Sequence, residues 1–205
     1  MYSYFSSSED GSVDSEEELS NLTLTLLRIR ENNPYARKLK GSGGDRRVQN
    51  MTDEDWEDLG RDLSIDIYLK ELDLNSGALN DHKTSIFFRG LTRSDTIKVM
   101  ELYRNGISVA GVRSMVPFLQ NASNLIDLNL NENNNLQSEG FNTLFQALRD
   151  SPIKVLCCSG CGIESIEIDN EQKPKHLERL FLANRYVKRR FTPSADLKYE
   201  MEEPK

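Results

Sequence analysis

Three cysteines crowded into one short stretch are the residues of this chain with the clearest potential for chemistry. Cys158 and Cys161 have the C-x-x-C spacing of many zinc sites, Cys157 precedes them, and His176 follows later in the chain. The sequence contains no second C-x-x-C pair that would complete a tetrahedral site. We therefore predict that the protein binds no metal and no other cofactor, and that its cysteines belong to a reducing compartment.

Residues that could support catalysis are scarce. His82 and His176 lie in predicted loops with no nucleophile pattern beside them, and the sequence has no phosphate-binding loop, G-x-G-x-x-G or G-x-S-x-G motif. The acidic pairs occupy predicted exposed positions, where pKa values are not tuned for acid–base work. The sequence thus predicts no catalytic residues and a protein that is not an enzyme.

Charge and hydropathy exclude two classes of partner. The formal net charge of -7 disfavours an extended nucleic-acid footprint, and no apolar run is long enough to span a membrane. The first residues lack the basic and apolar regions of a signal peptide. We expect a cytoplasmic protein, with the nucleus as the alternative, that binds neither nucleic acid nor membrane.

A fixed period organises the middle of the chain. Residues 125–136 follow the pattern L-x-x-L-x-L-x-x-N-x-L with one extra residue before the last Leu, and apolar helical spacing follows over 141–148. Equivalent stretches open at steps of 28 at Leu69, Ile97 and Ile153, and a step of 24 reaches Leu177. Each stretch predicts a strand, a turn and a helix, which bury a common core only when stacked.

The pattern also assigns a role to each position. Leu128 and Leu130 should point inward from the strand, and the amide of Asn133 should bond the backbone of the neighbouring unit. In the next unit Cys158 replaces an inward Leu and Cys161 replaces this Asn, so both are explained as buried structural residues. Gly77 takes the Asn position in the first unit and should weaken the ladder there.

Outward strand positions form the predicted binding surface. Four of them are acidic, which would suit a basic protein partner because complementary potentials steer association. Tyr103 and Phe181 are the predicted aromatic anchors. The predicted partner-binding residues are Glu71, Asp73, Glu101, Tyr103, Asp127, Asn129 and Phe181.

The chain divides into four predicted regions: a disordered acidic, Ser-rich tail over 1–14, a degenerate helical N-terminal cap over 15–65, repeats over 66–187 and a C-terminal tail over 188–205. In the cap, Ser15 and Glu18 match a capping box before a helix, although a strand through 22–26 is the alternative. A degenerate strand is expected around Leu39, and Thr52 or Asp53 should cap a second helix.

Three features depart from the regular pattern. Pro117 should shorten or kink the second helix, or make it begin near Ser114. Residues 164–175 show no amphipathic helix and should be extended or irregular. No capping helix follows 187, so the apolar edge around Leu180 is left to the tail or to a partner, or the array is truncated.

The period, the strand consensus and Gly111 or Gly140 before an apolar helix resemble the ribonuclease-inhibitor-like class of leucine-rich repeat proteins over 66–187. The resemblance implies an α/β solenoid: a curved stack with a parallel sheet on the concave face and helices on the convex face. It also implies a non-enzymatic protein-interaction module that binds a partner through the concave face. A GTPase-activating-like regulator of a small GTPase and a substrate-recognition subunit of a ubiquitin ligase are the alternatives. We expect a monomer, or a chain whose C-terminal edge is capped by a partner.

Overall fold

The computed structural model describes residues 13–41, 46–167, 173–182, 188–190 and 198–200. Its helices are α1 (Val13–Arg30), α2 (Arg46–Gln49), α3 (Asp53–Ile65), α4 (Asp81–Leu91), α5 (Val109–Asn121) and α6 (Gln137–Ala147). Its strands are β1 (Lys38–Lys40), β2 (Glu71–Asp73), β3 (Val99–Glu101), β4 (Asp127–Asn129), β5 (Val155–Cys157), β6 (Ser165–Glu167), β7 (Arg179–Phe181), β8 (Lys188–Arg190) and β9 (Lys198–Glu200).

The described strands form one main parallel sheet in the order β1-β2-β3-β4-β5-β7-β9, and β6 pairs in parallel with β8. Parallel neighbours need crossover connections, which α3 to α6 supply between successive strands. The predicted α/β class with a parallel sheet is therefore confirmed. The division into four regions stays a prediction, and residues 1–12, Ala183 and Val187 lie outside the described residues.

The strands pair with the period that the sequence predicts. Leu72 is level with Met100, Met100 with Leu128, and Leu128 with Leu156, so each pairing advances the chain by the same step of 28. All four side chains are fully buried. Leu39 is level with Leu72, a longer step than the regular one, and this pairing confirms the degenerate strand expected around Leu39.

Amide side chains connect successive units in the interior, as predicted. Asn133 donates from Nδ2 to the carbonyl oxygen of Leu102 at 3.0 Å, and Asn105 donates in the same way to Leu74 at 2.9 Å. The Oδ1 atom of Asn133 accepts from the amide of Ile107 at 2.9 Å. These bonds give partners to backbone groups that are buried where the chain turns away from the strand.

The turn after each strand passes through the left-handed region at the same position in four units. The residues are Ser76 (φ 52°), Arg104 (φ 54°), Glu132 (φ 61°) and Gly160 (φ 67°), which follow one another at the regular step. Only Gly adopts this conformation without steric cost. In three units a non-glycine residue therefore has a strained backbone at this position. The strain is maintained because this turn positions the amide ladder that follows it.

Helices α3 to α6 pack side by side behind the sheet. Their buried aromatic rings touch edge to face or tilted: Trp56 and Phe87 at 5.7 Å, and Phe88 and Phe118 at 5.5 Å between centroids. Helices α3 and α4 approach so closely that a Cβ on Gly60 would lie 2.4 Å from the Phe87 carbonyl oxygen. Only glycine fits this crossing.

One prediction for the N-terminal segment is wrong and two are confirmed. Helix α1 begins at Val13, so Ser15 lies inside the helix and not at its start. The predicted helix is present over residues 22–26, where a strand was the alternative. Thr52 caps α3: its hydroxyl accepts from the Asp55 amide at 3.2 Å, and the Asp55 carboxylate accepts from the Thr52 amide at 2.8 Å. This reciprocal pair satisfies two donors at the helix start.

The departures in the second half of the chain have different outcomes. Helix α5 begins at Val109, capped by Ser108, and continues through Pro117 to Asn121, so neither the short helix nor the start near Ser114 is correct. In the fourth unit strand β6 takes the place of a helix, as the extended prediction requires. Strand β9 pairs with β7, so the chain itself occupies the edge beside Leu180.

Candidate functional site

The outward side of the main sheet is the candidate site, and we call it the sheet face. In β2 to β5 the central residue is buried while its neighbours are partly exposed, because side chains alternate along a strand. The pairing register places outward residues in two columns across the sheet, as predicted. They are Glu71, Val99, Asp127, Val155 and Arg179 in one column, and Asp73, Glu101, Asn129, Cys157 and Phe181 in the other.

Asp73, Glu101 and Asp127 form an acidic cluster at the centre of the sheet face. The Nδ2 atom of Asn129 donates to Oε2 of Glu101 at 2.7 Å, which holds that carboxylate across β3 and β4. Burial raises the pKa of Asp127, the nearby Glu101 carboxylate adds to the rise, and Arg179 opposes it. Negative charge is thus concentrated where water is partly excluded, so a cation brought there would interact strongly.

Cys157 borders this cluster and is chemically quiet. Burial raises the pKa of its thiol to about 12, with further contributions from Asp127 and Glu101. Burial likewise raises the pKa of Cys158 well above its ordinary value. The thiolate is the nucleophile and the metal ligand, so these neutral thiols favour a structural role. Within the described residues no cluster of three His, Cys, Asp or Glu side chains could hold a metal ion.

The Glu71 carboxylate of the sheet face has a partner that was not predicted from the sequence. Lys38 on β1 donates from Nζ to Oε2 of Glu71 at 2.7 Å. The hydrogen bond and the charge of Glu71 raise the pKa of Lys38. The sequence K-L-K around the inward Leu39 was the available signal, because both lysines must then point outward with the sheet face.

The two predicted aromatic anchors differ in their surroundings. The guanidinium of Arg179 lies over the ring of Phe181, 5.0 Å from its centroid, so this ring is already covered on one side. Tyr103 is half-buried, and its amide donates to Oδ1 of Asn75 at 2.7 Å. Tyr103 therefore has a fixed backbone beside the acidic cluster. Phe181 could contact a partner on its covered side only after the Arg179 side chain moved away.

The sheet face brings together the predicted partner-binding residues of the strands, and the histidine His82 lies elsewhere. His82, expected in a loop, lies instead in the first turn of α4, where Nε2 is 2.8 Å from Oδ2 of Asp53 on α3. Both side chains are well exposed. This exposed pair belongs to two helices, while the acidic cluster belongs to the strands.

Among the described helices, none has the length and apolar character needed to cross a membrane.

The fold is similar to solved structures of a leiomodin and a tropomodulin domain. Actin-binding site 2 of leiomodin-1 matches with a TM-score of 0.56 and 18% identity, covering 72% of this chain and 79% of that chain. The tropomodulin C-terminal domain from Caenorhabditis elegans matches with a TM-score of 0.55 and 11% identity, covering 68% of this chain and 83% of that chain. No family model matches the sequence, and no curated protein is significantly similar to it.

These matches correct the family identification. The description as a leucine-rich repeat solenoid of the ribonuclease-inhibitor-like class is wrong, since the matching structures are a leiomodin and a tropomodulin domain. The error has a physical origin. The residues that recur at the regular step are the buried ones, so they specify how strand, turn and helix alternate and leave the family open.

Proposed function

We propose that the chain is a non-enzymatic protein-binding module that contacts its partner through the sheet face. The observation that carries the proposal is the acidic cluster of Asp73, Glu101 and Asp127, held on three neighbouring paired strands. Rigid strands hold the carboxylates in place before binding, which reduces the entropy lost on association.

The partner surface that best fits this cluster is basic. Burial, and then repulsion from Glu101, raise the pKa of Asp127, and a Lys or Arg side chain arriving between these carboxylates would relieve the repulsion. Tyr103, beside the cluster, can pack against the stem of that side chain. Asn129 and Glu71 extend the polar surface around it, and Phe181 contributes where Arg179 moves away.

The test is a capture experiment from native lysate with the intact chain as bait. Glu71→Lys/Glu101→Lys should lose a basic partner that the natural chain retains. The matched control is Glu31→Lys/Glu164→Lys, which changes the net charge equally at exposed positions outside the sheet face. Circular dichroism checks that all three proteins are folded. Equal capture by the sheet-face variant and the natural chain would refute the assignment of this surface.

Actin is a specific second candidate for the partner. The observation that favours it is the similarity to a structure named as an actin-binding site of leiomodin-1. Purified actin and fluorescently labelled protein should then bind in an anisotropy titration, and Glu71→Lys/Glu101→Lys tells whether the sheet face is involved. No anisotropy change at micromolar actin would remove this candidate. Neither similar structure is named as a GTPase regulator or a ubiquitin-ligase subunit, so those two alternatives gain no support.

The proposed setting is the cytoplasm, with the nucleus as the alternative, and the proposed state is a monomer. The partly exposed acidic cluster would repel the same cluster on a second copy, which favours a monomer. Sedimentation of the purified chain over a range of salt concentrations measures its mass in solution. A stable dimer at every salt concentration would contradict the proposed state.

A further inference from the structure

The edge of the sheet at which the chain enters each strand carries a row of cations. Arg37, Lys70, Lys98 and Lys154 immediately precede β1, β2, β3 and β5, and Ile126 precedes β4. Their backbones form a continuous ladder: the amide of Lys70 donates to the Arg37 carbonyl at 2.9 Å, and that of Lys98 donates to Lys70 at 2.8 Å. Neighbours in the row are therefore about 4.8 Å apart, the spacing between paired strands.

Three of these cations have no carboxylate partner within the described part of the chain. Lys154 pairs with Glu178 at 2.8 Å, but Arg37, Lys70 and Lys98 form no ion pair with any residue that the structure describes. Arg37 and Lys98 are exposed, while Lys70 is half-buried with Nζ 3.4 Å from the Ile67 carbonyl oxygen. The three charges span about 10 Å along the edge, two strand spacings.

Exposed apolar side chains accompany the cations on the same edge. Tyr35 is 80% exposed and Ile67 is 56% exposed, and both precede a strand by only a few residues. Their backbones are held: the Tyr35 amide donates to Oδ1 of Asn33 and the Ile67 amide to Oδ1 of Asn32, each at 3.0 Å. Ile126, in the row itself, is also exposed. Grouped apolar exposure of this kind marks an interaction surface.

We propose that this edge, formed by Tyr35, Arg37, Ile67, Lys70, Lys98 and Ile126 and called here the entry edge, binds an extended acidic segment of a partner protein. Two carboxylates of the segment would contact the cations, and its apolar side chains would contact Tyr35, Ile67 and Ile126. An extended chain advances about 3.3 Å per residue, so about three residues cross the row. This surface is separate from the sheet face and takes a ligand of opposite charge.

A narrow segment fits better than an anionic membrane. Glu71 directly follows Lys70 and Asp127 directly follows Ile126, so acidic side chains border the entry edge along the sheet face. A flat anionic surface would meet the row of cations together with the bordering acidic side chains, and the acidic side chains would repel it. The net charge of -7 on the whole chain adds to this repulsion. A peptide lying along the edge can contact the cations and the apolar side chains of the entry edge without covering the acidic residues of the sheet face.

A defined peptide tests the proposal with the full chain. The probe is a fluorescent peptide of about ten residues in which Glu alternates with Leu, long enough to cross the row when extended. Its control has Gln in place of Glu. Arg37→Glu/Lys98→Glu should bind the probe about tenfold more weakly or worse than the natural chain, through two lost charge contacts and added repulsion. Arg37→Gln/Lys98→Gln, a milder change, should show a smaller loss.

The matched control is Lys83→Glu/Arg104→Glu, which makes the same charge change on α4 and in the turn after β3, outside the entry edge, and should bind like the natural chain. Binding should also weaken as salt screens the charges. The proposal is overturned by equal binding of the Gln peptide, or by entry-edge variants that bind normally.

Vesicles of phosphatidylcholine and phosphatidylserine in equal parts form a separate arm. Binding to the vesicles without binding to the peptide would also overturn the proposal. Glu71→Lys/Glu101→Lys should keep peptide binding, which separates this result from the test of the sheet face.

Discussion

The sulfur of Cys161 lies 3.0 Å from the carbonyl oxygen of Leu130, in the position where Asn133 bonds the preceding unit. Asn133 does more in that position, because Oδ1 also accepts from the amides of Asn105 and Ile107 at 3.1 and 2.9 Å. A thiol is a weak donor and a poor acceptor. The internal ladder is therefore weaker at its C-terminal end.

Replacing Cys161 with Asn should restore the missing acceptor. We expect Cys161→Asn to raise the free energy of unfolding by about 1 kcal/mol, the net value of one added internal hydrogen bond. Urea denaturation followed by circular dichroism measures the change. Cys161→Ala removes the thiol bond to the Leu130 carbonyl, which keeps the bond from Nδ2 of Asn133 at 2.8 Å, and the variant should be less stable than the natural chain. The explanation fails if the Asn variant is less stable than the Ala variant.

Removing the central ladder residue should have a large cost. Asn133→Ala leaves the Leu102 carbonyl oxygen and two backbone amides without their side-chain partner. The Leu130 carbonyl loses one of its two side-chain donors and keeps the Cys161 thiol. Each buried group left unpaired costs roughly 1–3 kcal/mol, with partial relief from water, so we expect a total loss of about 3 kcal/mol. The neighbouring exposed Asn134→Ala should change stability by less than about 0.5 kcal/mol in the same urea titration. A similar loss in both variants would contradict the ladder.

The crossing of α3 and α4 reverses a usual rule for glycine. In an exposed helix Gly→Ala is stabilising by roughly 1 kcal/mol, but a Cβ on Gly60 would lie 2.4 Å from the Phe87 carbonyl oxygen. Gly60→Ala must push the helices apart and should lower the midpoint of thermal unfolding by several degrees. Gly140→Ala is the contrast, because its Cβ would be nearest to the Leu136 side chain, at 3.1 Å, and would lie at an ordinary contact distance of 3.6 Å from the Val109 backbone. If Gly60→Ala unfolds at the same temperature as the natural chain, the helices do not cross in this way.

The acidic cluster makes a pH-dependent contribution to stability. Burial and Glu101 raise the pKa of Asp127 in the folded state above that of the unfolded chain, so its ionised form opposes folding. Asp127→Asn should therefore be more stable than the natural chain at pH 7. This advantage should disappear below about pH 4, where the unfolded carboxyl is protonated as well. Denaturant titrations at pH 7 and pH 3 measure it, and an advantage that is larger at pH 3 would refute the stated cause.

Parts of the candidate site follow from spacing alone. The regular step aligns Glu71 with Val99 and Asp127, and alternation then points all three side chains outward. The pairing of Lys38 with Glu71 does not follow, because the step from Leu39 to Leu72 is longer than the regular one and the period therefore skips β1. Likewise, nothing in the local sequence shows that the Arg179 side chain covers the ring of Phe181.

The entry edge also combines features that the sequence predicts with features that only the tertiary structure produces. Arg37, Lys70 and Lys98 each precede a strand, but in the sequence they are single cations among other charges. They become a row only when β1, β2 and β3 pair. The exposure of Tyr35 and Ile67 depends in turn on how α1 and α3 end beside the sheet.

The sequence by itself determined the class, the period of the strands and the inward or outward direction of their side chains, because periodic burial is a local property of a repeating chain. Tertiary structure alone decided that α5 continues through Pro117, that β9 pairs beside β7, and which charges meet across strands. Those outcomes depend on contacts between residues far apart in the chain. Family membership also stayed beyond the sequence pattern, because the recurring residues are buried and only the overall arrangement of strands and helices is similar to leiomodin and tropomodulin domains.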